Sequence, residues 1–207
     1  MKFTKMQGTG NDYVYVSAFD EDIATRDLPA LARKISDRHL GVGGDGLVLI
    51  MGSDRADFRM KMLNSDGSEA EMCGNAIRCV AKYVYEKGLT DKRSLQIETL
   101  AGIIKPVILD NGLIRVDMGE PILNGKEIPS LIDREPVIRE KIAVDGREIE
   151  VTLVSMGNPH AVTFVEDLGF DITDMGPKIE NHRLFPNLVL RLLFVSPRLD
   201  AVCPIRR

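Results

Sequence analysis

Two hydrophobic rhythms take turns along this chain. Tyr13 to Val16 is aromatic and β-branched, a strand pattern. Leu28, Leu31, Ala32 and Ile35 then recur at helical spacing. Asp27 stands where a cap belongs and Pro29 sits in the first turn, so the spacing predicts a helix that Gly41 closes. Leu47 to Met51 is a continuous apolar run, as in a strand buried on both faces. Phe58, Met60 and Met62 alternate with Arg59 and Lys61 in a half-buried strand that ends at Asn64, and Ser65-Asp66-Gly67 turns the chain. Ile77, Val80, Ala81 and Val84 mark a second helix, from about Gly74 to Lys87, closed by Gly88. Ala76, Cys79 and Ala81 make its faces small and apolar. Burial nearly all round is expected, with Cys79 as core packing.

The remainder reads mostly as β-structure. Ile103–Leu109 and Leu113–Met118 flank Asp110-Asn111-Gly112, a hairpin turn. Ala143-Val144 and Ile149–Val154 flank a second one at Asp145-Gly146. Met156-Gly157-Asn158-Pro159-His160 is a loop leading into a strand over Ala161–Val165, and Pro177–Asn181 reads as a short helix. Gly119-Glu120-Pro121 breaks the pattern and marks the expected domain boundary, dividing the chain into 1–118 and 119–207. The class is α/β (α+β).

With 207 residues, 44% hydrophobic and 28% charged, the chain has the composition of a soluble globular protein. A net charge of -4 gives no reason to expect nucleic acid as a partner. No apolar run reaches the roughly 18 residues of a membrane helix, and Met1–Gly8 lacks a signal-peptide core. Three cysteines, Cys73, Cys79 and Cys203, do not make a disulfide framework, so a reduced cytoplasmic setting is expected.

The segment with the most chemistry is Asn64-Ser-Asp-Gly-Ser-Glu-Ala-Glu-Met-Cys73-Gly74-Asn75. It sets a cysteine where a loop gives way to a helix. There the positive end of the macrodipole and unpaired N–H groups favour thiolate, the reactive form. The alternative is a buried, inert cysteine. Gly41-Val-Gly-Gly-Asp-Gly46 is glycine-rich, but its spacing fits neither a P-loop nor a dinucleotide fingerprint, and it reads as a tight turn. Asn11 and Asn64 stand in turn-like contexts that suit a local Asx role. Asn158-Pro159 favours a turn, and His160 alone suits a hydrogen-bonded structural histidine.

Taken together, several motifs resemble the diaminopimelate epimerase family. They are Gly8-Thr-Gly-Asn11-Asp12, Asp37-Arg-His-Leu-Gly-Val-Gly-Gly-Asp-Gly46, Asn64 through Arg78, Val116-Asp-Met-Gly-Glu-Pro121, Ser155-Met-Gly-Asn158-Pro-His160 and Gly176 through Pro186. Their order and spacing carry the resemblance over roughly residues 1 to 187. It implies two similar α/β domains, each with β-strands wrapped around a central helix, and an active site in the cleft between. It also implies a cofactor-independent, metal-free amino-acid epimerase of lysine and peptidoglycan precursor biosynthesis. Such an enzyme interconverts LL- and meso-diaminopimelate between a thiolate and a thiol, with homodimer as the expected assembly. Carried over by position, Cys73 is one of the catalytic pair. Gly74 and Asn75 contact the substrate carboxylate, Asn11, Asn64 and Asn158 hold the substrate, and His160 tunes a catalytic thiol. Gly46 has no side chain to offer any contact that relatives make from its loop.

The resemblance stops near Asn187. Leu190 stands where the family has a substrate-contacting asparagine, and the second motif, Cys-Gly-(Ser/Thr)-Gly, is missing. Cys203 is followed by Pro204, all 18 glycines lie at or before Gly176, and residues 188–207 hold four arginines and no lysine. Leu188 to Val195 reads as a surface strand with a disordered end after it, in preference to a basic partner-binding tail. The change of composition fits a truncated or frameshifted reading frame and an incomplete second domain, with epimerase activity impaired. Two other functions stay open at this point: a non-catalytic remnant that binds substrate or a partner, and a hydrolase using Cys73 and His160 as nucleophile and base.

Overall fold

The computed structural model describes residues 1–165, 171–186, 191–195 and 202–204. The chain divides into two compact units, Met1–Met118 and Gly119–Arg207.

The first unit runs β1 (Thr4–Gly8), β2 (Asn11–Ser17), α1 (Leu28–Ser36), β3 (Gly46–Met51), β4 (Phe58–Asn64), β5 (Glu69–Ala70), α2 (Gly74–Glu86), β6 (Ile97–Thr99), β7 (Gly102–Ile104), β8 (Pro106–Ile108) and β9 (Ile114–Val116). Its large sheet has the order β1-β2-β3-β4-β6-β7, with β5 on β4. Two of the pairings, β2 with β3 and β4 with β6, are parallel. A parallel pair needs a long crossover, and α1 and α2 are those crossovers. The period of two in the strands sends alternate side chains to the two helices. Tyr13, Tyr15, Val48, Ile50, Phe58, Met60 and Met62 form one core with Ala76, Ile77, Val80, Ala81 and Val84 of α2. Val14, Val16, Leu47, Leu49 and Leu63 form another with Ala32 and Ile35 of α1. The apolar run Leu47–Ile50 has no polar interruption because both faces of β3 are covered.

The β8–β9 ribbon packs Ile108, with the partly buried Ile114 and Val116, on the α2 core. Strands therefore wrap α2, whose buried residues Ala76, Ile77, Cys79, Val80, Ala81, Tyr83 and Val84 occupy most of its surface. Its end is a Schellman motif: Gly88 has φ 69°, its N–H reaches Tyr85 O at 3.1 Å, and Leu89 N reaches Val84 O at 2.9 Å.

The second unit runs β10 (Glu140–Val144), β11 (Arg147–Ser155), β12 (Pro159–Phe164), α3 (Ile172–Glu180), β13 (Arg191–Val195) and β14 (Val202–Pro204). One sheet takes the five strands in that order, and β12 and β13 are parallel. Asp145 and Gly146 both have positive φ, 49° and 74°, the mirror-image turn that suits a two-residue hairpin. Met175 and Ile179 of α3 seal the core with Ile142, Val151, Leu153, Ala161, Leu192 and Phe194. Among the described residues, no helix is long and apolar enough to cross a membrane.

Four expectations need correction. The first helix stops at Ser36, not Gly41, because the Asp37 carboxylate accepts from His39 N at 2.7 Å and Leu40 N at 2.8 Å and turns the chain away. Ile103 belongs to β7 in the large sheet, so the supposed strand Ile103–Leu109 is two strands, and only Pro106–Ile108 pairs with Ile114–Val116. The third helix begins at Ile172, well before Pro177. Asp171 caps it, accepting from Thr173 N at 2.9 Å and Asp174 N at 3.2 Å. Pro159 and His160, read as loop, open β12. Leu190 and the start of the tail run at Leu188 lie outside the described residues, while the rest of that run, Arg191–Val195, is a strand.

Candidate active site

The site begins with a turn. Thr9 and Gly10 have φ of 50° and 86°, closing β1 onto β2 so that Gly8 pairs with Asn11. Asn11 thus opens β2 beside the loop before β3. The Asp45 carboxylate there accepts from Asn11 Nδ2 at 2.8 Å and Asp12 N at 3.3 Å, and from Arg38 Nη2 at 2.9 Å. Arg38 also grips Asp12 through both terminal nitrogens, at 2.7 and 3.1 Å. That guanidinium, helped by Lys5 and opposed by partial burial, holds the Asp12 carboxyl at a pKa of about 2.

A carboxylate only accepts, so Asn11 must turn its amide nitrogen to Asp45 and its oxygen outward. That oxygen receives Asn75 Nδ2 at 2.9 Å. The oxygen of Asn75 in turn takes Arg78 Nη1 at 3.2 Å, and the same nitrogen reaches Gly74 O at 2.8 Å. Donation therefore runs from Arg78 through Asn75 and Asn11 to Asp45, to which Arg38 donates from the other side, and it fixes which way both amides face.

Cys73 is the N-cap of α2. Its backbone is extended, with φ −138° and ψ 117°, and its carbonyl accepts Ile77 N at 2.9 Å. The side chain makes no capping bond, which leaves the sulfur to other partners. Tyr13 Oη lies 3.8 Å from it and donates. The amides of Gly74 and Asn75 fall in the first helical turn, where the helix offers no acceptor. A Cβ on Gly74 would stand 3.0 Å from Met118 Sδ, so a side chain there would crowd the helix entrance. The other cysteine of α2 differs in kind. Cys79 is buried, and burial pushes its thiol up, toward the protonated form. Burial also raises the nearby Tyr15 phenol far above its usual value.

Asn64 ends β4 opposite Gly46, and its Nδ2 donates to Ser68 Oγ at 3.0 Å. The following residue ties this turn to the same neighbourhood, Ser65 N donating to Asp45 O at 3.1 Å. Gly46 is required at its place: a Cβ there would sit 2.1 Å from Leu63 O. The structure thus brings Asn11, Gly74 and Asn75 into one bonded group through Arg78, with Cys73 next to it in the chain at the head of α2 and Asn64 attached through the backbone. Asn158 and His160 belong to the second unit. Asn158 is exposed in a turn beside Gly157, and His160 Nδ1 lies 2.9 Å from Asn158 O, as an N–H donor to that carbonyl.

Sequence reasoning did not single out Tyr13, Asp12, Arg38, Asp45 or Arg78. The last four sit inside the recognised motifs, and their opposite charges beside glycines were the available signal.

The comparisons bear on this site directly. A family model described as diaminopimelate epimerase matches residues 3–124, which include every residue of the bonded group. The diaminopimelate epimerase of Acetivibrio thermocellus is 54% identical over 194 residues, covering 91% of this chain and 69% of the relative. The chain belongs to the diaminopimelate epimerase family. The enzyme of that name from Methanococcus maripaludis is likewise 54% identical, over 191 residues, covering 90% of this chain and 68% of its own. Membership of the diaminopimelate epimerase family makes the chain an isomerase acting on a small molecule in amino-acid biosynthesis. Solved structures share the fold at low identity. A hydroxyproline epimerase from Agrobacterium vitis matches with a TM-score of 0.61 and 17% identity, covering 98% of this chain and 69% of its own. A phenazine biosynthesis protein of the PhzF family from Bacillus anthracis matches with 0.58 and 20%, covering 96% and 67%.

Proposed function

We propose that Cys73 is one of two acid–base groups that interconvert LL- and meso-diaminopimelate without a cofactor. The observation that supports this is the placing of its sulfur: at the N-cap of α2, free of capping, next to the Gly74 and Asn75 amides. Racemising a free amino acid requires taking a weakly acidic α-proton and returning one to the opposite face. A thiolate on one face accepts the proton, the electron pair left on carbon is stabilised through the adjacent carboxylate, and a thiol on the other face donates. First-turn amides of α2 suit that carboxylate. In this proposal Asn11, Asn64, Gly74, Asn75 and Asn158 hold the substrate and His160 sets the protonation of a thiol. We place the protein in the cytoplasm as a homodimer with no nucleic-acid partner.

The 207 residues contain a Cys-Gly pair only at Cys73-Gly74, so one member of the acid–base pair is missing from them. Net inversion is then slowed by about 10²–10⁴-fold, while exchange of the α-proton that Cys73 faces continues. Incubating LL- and meso-diaminopimelate in deuterated buffer and following the α-proton by NMR tests this. Cys73-dependent exchange with little inversion is expected, and Cys73→Ser should abolish it. Exchange surviving in that variant overturns the role of Cys73, and inversion at a two-cysteine enzyme's rate overturns the impairment. A second reading, a non-catalytic remnant that binds diaminopimelate, is favoured by Leu190 standing where the family has a substrate-contacting asparagine. Calorimetric binding with no Cys73-dependent exchange would select it.

A further inference from the structure

The strand that carries Asn11 also carries a phenol aimed at the sulfur. Period two along β2 places Asn11, Tyr13 and Tyr15 on the side of α2, with Val14 and Val16 on the side of α1. Tyr13 is 5% exposed, fixed between Met6 of β1 and Gly46 of β3 in the sheet register. Its ring has two rotatable bonds and is packed in the α2 core, so its hydroxyl is held in place at little entropic cost. That hydroxyl is 3.8 Å from Cys73 Sγ. We propose that Tyr13 is a positioning residue for Cys73: its O–H donates to the sulfur, fixes the direction of Sγ at the start of α2, and stabilises the thiolate more than the thiol.

The physical basis is the difference between two acceptors. A thiol sulfur accepts weakly, whereas a thiolate accepts as an anion, and hydrogen bonds to charged groups are roughly twice as strong as neutral ones. A donor fixed at one distance therefore favours the charged form. Other ionisable groups packed around this point are Tyr15 of β2 and Cys79 and Arg78 of α2. Burial keeps Tyr15 and Cys79 in their neutral forms, and Arg78 is engaged with Gly74 O and Asn75 Oδ1. Tyr13 is thus the group on β2 bonded to the sulfur, and no sequence motif marked it.

The role of Tyr13 rests on Cys73 being the proton-transfer group, and its test is separable from that. Alkylation by iodoacetamide is followed across pH in the wild type, Tyr13→Phe and Tyr15→Phe, with peptide mass spectrometry as the readout. Trypsin cuts after Arg78 and so separates Cys73 from Cys79. Phenylalanine keeps the ring and removes only the hydroxyl, and a thermal melt checks each fold. The expected result is a pH–rate curve for Cys73 displaced to higher pH in Tyr13→Phe, with a rate at pH 7 lower by about threefold to tenfold. Tyr15→Phe should leave the curve in place. Coincident curves for wild type and Tyr13→Phe overturn the proposal, as does an equal displacement by Tyr15→Phe. Failure of the proton-transfer role would show instead as α-proton exchange surviving Cys73→Ser, whatever the alkylation curves do.

Discussion

Gly8 sets how closely β1 approaches the start of α2, and Gly8→Ala is the most direct probe of the site's scaffold. Its backbone is not in the left-handed region, so alanine costs no dihedral strain and the effect is purely one of space. The added Cβ would lie 2.8 Å from Asn75 O and 3.2 Å from Cys79 Sγ. The first distance decides the outcome. A contact under 3 Å with a backbone carbonyl in the first turn of a helix cannot be relieved by a rotamer change; the helix must move. Overpacking of this kind costs about 1–3 kcal/mol, out of a total stability of about 5–15 kcal/mol. At about 3–4 °C per kcal/mol for a unit of this size, the melting temperature falls by about 3–12 °C. Moving Asn75 also lengthens its 2.9 Å bond to Asn11, so α-proton exchange should fall with stability. Circular-dichroism melts of Gly8→Ala, Cys79→Ala and the double variant form the assay. Cys79→Ala removes the sulfur contact and leaves the carbonyl, so the double variant should recover little of the loss. Full recovery by Cys79→Ala, or a melt within 1 °C of wild type for Gly8→Ala, would refute the backbone clash as the cause.

Other outcomes follow from single contacts. Asp45→Ala removes the acceptor of Asn11 Nδ2, Asp12 N and Arg38 Nη2; it should cost about 2 kcal/mol in a denaturant titration and release the Asn11 side-chain amide, visible by NMR. Asp12 has a folded pKa of about 2, below the ordinary aspartate value of 3.8. Its stabilising contribution is therefore present above about pH 4 and is lost as pH falls through about 2. Arg38→Gln should raise the NMR-observed midpoint of Asp12 toward 3.8 and flatten the acid-side loss of stability; an unchanged midpoint would show that Arg38 is not the main cause. Asp27→Ala removes the cap on α1, where Asp27 Oδ1 accepts Ala30 N at 3.0 Å, and should lower stability by about 1 kcal/mol in the same titration.

Much of the first unit was legible from local signals. The cap and periodicity of α1, the glycine closure of α2 and the alternation in β4 depend on residues within a few positions of one another, and local sterics and hydrogen bonding settle them. The misjudged ends show where a different local competitor won. Asp37 turned the chain before Gly41 could, and Asp171 nucleated α3 ahead of Pro177. The split of Ile103–Leu109 between two sheets was not legible, because which edge a short apolar run joins depends on partners distant in the chain.

For the candidate site, the sequence by itself determined the residue types, their order and the helix start at Cys73, since a cap and a dipole are properties of consecutive residues. It could not determine that Tyr13 meets a sulfur 60 positions away, that Asp45 orients Asn11 across 34, or that Asn75 completes the relay across 64. Those contacts exist because β2, β3 and α2 are layered over one core. Side-chain bonds of a few ångströms are set by how the layers stack, and hydrophobic periodicity says which face is buried without saying which atoms on it will touch.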